Sequence, residues 1–158
     1  MINENSSSYG NYFSILIILF FALLSGQTIY FIAGLFLIQS GNMNGFSGLN
    51  IVFMFVTPVV VLSSILASKL IYTKQITGFD KSSSLEKKMV SYRKTNIIKL
   101  ALLEGANIFN ISIMIITASY FFAALFVILI ILFLLNRPTK EKFIMDYEVS
   151  ADDELKIA

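Results

Sequence analysis

The sequence contains neither cysteine nor histidine. Without cysteine there is no disulfide framework, no thiolate metal site and no thiol nucleophile. Without histidine the chain lacks the commonest general base, metal ligand and haem ligand. No nucleophile–base pair, phosphate-cradling loop or metal-ligand spacing stands in for them. The reading is therefore non-enzymatic, with no cofactor and no metal. Tryptophan is also absent, and proline occurs only twice, at Pro58 and Pro138. Residues 1–12 are polar but hold no Lys or Arg, unlike the basic start of a signal peptide. The first apolar block is accordingly read as a retained helix.

What the chain has in excess is hydrocarbon. Of its 158 residues 56% are hydrophobic, and the mean hydropathy is +0.77. The excess falls into four blocks, at about 13–38, 49–72, 97–117 and 119–136. Each suffices for about 30 Å of hydrocarbon at about 1.5 Å per residue. The expected fold is all-α: an integral membrane four-helix bundle forming one domain over 13–138. Pro58 is expected to kink the second helix or free a carbonyl there.

The links differ in charge. Residues 39–48 (QSGNMNGFSG) and 117–119 carry none. The loop 73–96 carries Lys74, Lys81, Lys87, Lys88, Arg93 and Lys94 against Asp80 and Glu86. Ser83 and Glu86 read as a capping box. Leu85, Met89 and Tyr92 follow at i, i+4 and i+7. A short amphipathic surface helix, running into the third crossing, is the expectation. The tail 139–158 is charged and ends near the run Asp152-Asp153-Glu154, which suggests partial disorder.

Basic residues set the orientation. All lie at the end of the second block, in loop 73–96, at the start of the third block or beyond the fourth. The positive-inside rule then puts residues 1–12, the loop and the tail in the cytoplasm of a bacterial inner membrane. Lys87, Lys88, Arg93 and Lys94 are expected to face lipid, each contributing about 1 kcal/mol beside an anionic inner leaflet. Nucleic acid is not an expected partner, because these residues lie against the bilayer without a soluble fold.

Residues 22–32 (ALLSGQTIYFI) and 101–111 (ALLEGANIFNI) share the pattern A-L-L-[SE]-G-x-x-I-[YF]-x-I. Each copy lies in the first helix of a hairpin. A parallel internal repeat would place the first and third helices centrally and equivalently. Apolar helices draw on few residue types, so chance is the competing explanation.

Glu104 stands out. It lies roughly 9 Å inside the third helix from its cytoplasmic edge. A carboxylate there is costly unless paired, hydrated or protonated. Asn107 and Asn110 follow on the same helix, and Gln27 is the polar counterpart on the first. These four residues form a candidate polar or ion site. The competing structural role pairs Glu104 with Gln27, Thr28, Asn107 or Lys69. Gly26 and Gly34 on the first helix, and Ala101, Gly105 and Ser112 on the third, are candidates for close helix packing.

The segments ALLEGANIF (101–109) and NRPTKEK (136–142) resemble a group of small bacterial four-helix inner-membrane proteins. That resemblance covers about the last third of the chain and implies a location but no activity. More distantly, the chain is similar to the duplicated four-helix proteolipids of rotary ATPases, with Glu104 in one hairpin and Ser25 in its place in the other. It departs from them in its few glycines, in the position of Glu104 on the first helix of its hairpin, and in its uncharged hairpin links. The small-residue faces, the short uncharged links and the lack of catalytic groups lead to the expectation of a subunit or accessory protein, acting by helix packing as a homo-oligomer or within a larger membrane complex. The alternative is a small proton- or cation-handling protein centred on Glu104.

Overall fold

The computed structural model describes residues 4–41, 45 and 47–157, with side chains from residue 12 onward except 47. Parts of residues 1–12 and of the 39–48 turn thus lie outside the described residues. The described residues form six helices and no strand: α1 (Glu4–Gln39), α2 (Ser47–Thr77), α3 (Leu85–Thr117), α4 (Phe121–Leu135), α5 (Lys140–Tyr147) and α6 (Ala151–Ile157). Stretches of α1, α2 and α3 (Tyr12–Gln39, Gly48–Thr77 and Leu85–Thr117) are long and apolar enough to cross a membrane. The α4–α5 pair, bent by 66°, raises the number to four if it counts as one span. By length and composition this is a multi-pass membrane protein. Large side chains such as Phe36, Phe55 and Leu135 are exposed on the outer surface, as hydrocarbon surroundings permit.

Local sequence explains the helix ends. α1 stops before Gly41, whose φ of +70° suits glycine. α3 stops at Ala118, which takes the left-handed conformation and donates its N–H to the Ile115 carbonyl. α2 runs unbroken through Pro58. The proline lacks an N–H, so the Met54 carbonyl loses its intrahelical donor. The capping box is corrected: Ser84, not Ser83, is the N-cap of α3, and it makes no side-chain cap. The preceding turn is instead held by Asp80, which accepts from the Ser82 N–H at 2.9 Å and its hydroxyl at 2.7 Å.

Two further expectations are corrected. The amphipathic segment is not a separate surface helix, because it is the first third of a continuous α3. Its stripe of Leu85, Met89 and Tyr92 is buried against protein rather than laid on lipid. The tail, expected to be partly disordered, folds as α5 and α6. Thr139 caps α5 by accepting from the Lys142 N–H at 3.2 Å. Phe143 and Tyr147, at i and i+4, then reach the α3 stripe. With Phe13 and Leu16 of α1 and Ile157 of α6 they close one core cluster at the basic end. Tyr92 ties it together: its hydroxyl donates to the Thr139 carbonyl at 2.9 Å and accepts from the Thr139 N–H at 3.2 Å.

α3 is the central helix. Half of its most apolar stretch is buried inside the protein, against 17% for α1 and for α2. α1, α2 and α4 pack around it. In the two similar segments Gln27 and Ala106 are both buried and Gly26 and Gly105 both exposed, but Ile111 is buried where Ile32 is exposed. Only α3 is central, so the two helices do not occupy equivalent places. Phe31 stacks on Phe126 at 3.9 Å, and Phe20 on Phe133 at 5.0 Å, joining α1 to α4. A Cβ on Gly45 would lie 2.3 Å from the Thr117 carbonyl oxygen, so the turn after α1 meets the end of α3 through a glycine.

Candidate functional site

Polar side chains collect along α3 at three levels. In the middle of the helix, Asn107 donates its amide to the Gln27 carbonyl at 2.6 Å. Both residues are about 1% exposed, so this bond lies wholly inside the protein. Asn110, one turn further along, donates to the Phe122 carbonyl at the start of α4 at 2.9 Å. That bond ties α3 to a helix that opens without a side-chain cap. Gln27 Nε2 and the Oδ1 atoms of Asn107 and Asn110 have no partner among the described residues, and neither does Thr57 Oγ1 on α2.

Glu104 does not join this group. It is half-buried, and no hydrogen bond or ion pair holds it among the described residues. Asn107 turns to α1, and Glu104 is left at the edge of the outward stripe, where Ile97, Ala101, Gly105 and Ile108 are exposed. Lys69 is exposed on α2 and does not pair with it. The structure thus brings Gln27 and Asn107 together, joins Asn110 to α4, and gives Glu104 no bond to any of the three.

The packing candidates also divide. Gly34 makes a close helix contact: a Cβ there would lie 2.9–3.0 Å from Ile115 and Met114 of α3. Ser112 meets Tyr30 of α1, hydroxyl to hydroxyl, at 3.1 Å. Around Gly26 and Gly105 nothing stands within 4 Å of where a Cβ would be. Ala101 is exposed as well.

The basic end holds a group that the sequence reading did not single out. Lys99 is 4% exposed, and its ammonium stands 4.5 Å over the Tyr72 ring. Lys142 of α5 stands 4.8 Å over the same ring. The Tyr72 hydroxyl donates to Asp146. One aromatic ring thus gathers two cations and a carboxylate from α2, α3 and α5. The signal was available in Lys99, which lies two residues inside an apolar block and needs a partner there. Lys88 is a correction: it does not face lipid. It is 5% exposed and donates to the Glu148 carbonyl at 3.2 Å, holding the tail. Arg93 is half-buried, 5.4 Å over the Tyr12 ring, while Lys87 and Lys94 are exposed.

No group of three or more acidic residues that could hold a metal occurs among the described residues. Compared with family models, curated proteins and solved structures, the chain matches none.

Proposed function

We propose that this is a non-enzymatic multi-pass protein of a bacterial inner membrane, with both termini cytoplasmic, and that it works as a subunit or accessory protein. Its docking element is the outward stripe of α3, received by a transmembrane helix of another polypeptide that offers a hydrogen-bond donor to Glu104. The observation that carries this reading is the placement of Glu104: a carboxylate with no partner among the described residues, on an otherwise apolar outward face, beside Gly105 with open space around it. On insertion scales an acidic residue at the centre of a membrane helix costs about 2.5–3.5 kcal/mol. A donor from a second helix removes much of that cost, and small residues let the backbones approach closely enough to supply it. The ion-handling reading needs Glu104, Gln27 and Asn107 in one site, and the lack of any hydrogen bond from Glu104 to the Gln27–Asn107 pair among the described residues favours docking instead.

The test is native mass spectrometry of the tagged protein, extracted gently from its own membrane. A partner chain is expected at fixed stoichiometry. Glu104→Leu should lose it while the thermal transition of the isolated protein holds or rises. Recovery of the chain alone, or only as copies of itself, would sink docking to a different polypeptide. Glu104→Gln, which can still hydrogen-bond, should retain the partner at least in part.

A further inference from the structure

We infer that the outward groove at the start of α3 is a binding site for one anionic phospholipid of the cytoplasmic leaflet. This rests on the membrane orientation proposed above but not on the docking of a partner helix. Two adjoining grooves form the site. One, of about 610 Å³, lies between the end of α2 and the start of α3 and includes Lys87, Val90 and Lys94. The other, of about 410 Å³, continues along α3 over Val90, Arg93, Lys94, Ile97 and Ile98. Val90 and Lys94 line both, so the two are continuous.

Lys87, Val90, Lys94 and Ile97 follow at i, i+3, i+7 and i+10, along one face of an unbroken helix. Lys87, Arg93 and Lys94 flank Val90 at its start, and Ile97 and Ile98 lie beyond them toward the membrane-spanning part. Among the lining residues three cations, Lys87, Arg93 and Lys94, stand against one carboxylate, Glu86. An amphiphile with an anionic head and a hydrocarbon tail matches this order. A soluble anion would leave the aliphatic floor of Val90, Ile97 and Ile98 unused.

The structure also sorts the basic residues that look alike in sequence. Lys88 and Lys99 turn inward and serve the tail and the Tyr72 ring. Lys87 and Lys94 turn outward, and no ion pair engages either among the described residues. Arg93 is held at the groove edge by the Tyr12 ring. Diffuse attraction to an anionic surface needs no such arrangement, because it depends only on charge near the bilayer.

The test uses the full chain in nanodiscs of phosphatidylcholine and phosphatidylglycerol, with retained lipid counted by native mass spectrometry. One phosphatidylglycerol per chain should be retained in preference to phosphatidylcholine. Each lysine near an anionic leaflet is worth about fivefold in affinity, so Lys87→Ala with Lys94→Ala should weaken retention by more than about tenfold. Lys69→Ala with Lys74→Ala removes equal charge from exposed positions outside the groove and should change retention by less than about twofold. Val90→Trp keeps every charge and fills the groove, and it should also lose the lipid. Equal losses in the two double variants, or full retention in Val90→Trp, would overturn the site in favour of diffuse attraction. Displacement of the lipid by free glycerol phosphate would overturn it in favour of a soluble anion.

Discussion

An amide buried among hydrocarbon side chains has no water to fall back on, so the Gln27–Asn107 bond is worth most through what its loss would strand. Gln27→Leu leaves the Asn107 amide without its acceptor. Stranding a buried polar group costs about 1–3 kcal/mol in general, although hydrogen bonds between membrane helices average only about 0.6 kcal/mol. The single variant should therefore unfold at lower temperature in detergent, and adding Asn107→Leu should recover part of the loss. If the double variant is simply the sum of the two singles, the bond carries no coupling. The same pair shows what was legible at this scale. Gln27, Glu104, Asn107 and Asn110 all stand out in sequence as polar residues in apolar helices, but sequence does not say which of them find partners: Asn107 bonds Gln27 and Asn110 bonds the Phe122 carbonyl, and no such bond holds Glu104 among the described residues.

At the scale of elements, the tail is where chemistry and composition disagreed. Its acidic run suggested disorder. Yet Asp152, Asp153 and Glu154 occupy the first turn of α6, where negative charge suits the helix dipole. Thr139 after Pro138, and Phe143 with Tyr147 at i and i+4, were signals of a capped amphipathic helix. They were outweighed by net charge in a short segment. The apolar blocks were legible because hydropathy alone marks them, whereas the inward turn of Leu85, Met89 and Tyr92 was not, since an apolar stripe reads alike whether it meets lipid or protein. Tyr92→Phe removes both bonds to Thr139 and should destabilise the docked tail by about 1–3 kcal/mol, read as faster proteolysis at residues 139–158.

The tail also has an acid limit. Glu148 is held below its usual 4.5 by hydrogen bonding and charge from Lys81, and Asp153 below 3.8 chiefly by its hydrogen bond from Lys156. A depressed carboxylate contributes stability above its unfolded value and loses it as pH falls through the folded one. Tail docking should hold constant from neutral pH down to about 5 and weaken below about 4. Near-ultraviolet circular dichroism of the Tyr92–Tyr147 cluster follows this directly. Both ion pairs are exposed, so the effect should be small and should fade in high salt.

For the molecule as a whole, the charge asymmetry makes a prediction about sides. Alkaline phosphatase fused in the 42–46 turn should be active, and fused after Ala158 it should be inactive, as the positive-inside rule requires. The reverse pattern would invert the orientation and remove the cytoplasmic leaflet from the lipid site with it. The central place of α3 makes a second claim. Gly34→Leu should separate α1 from α3 and lower stability by about 1–3 kcal/mol through overpacking, whereas Gly26→Leu, facing open space, should leave the thermal transition unchanged.

α4 has only 15 residues before the 66° turn into α5. That length spans about 22 Å, some 8 Å less than a typical hydrocarbon core. α1 and α2 suffer no such shortfall. If the α4–α5 pair makes one crossing, lipid beside α4 must thin to meet it, at a fraction of a kcal/mol for each ångström.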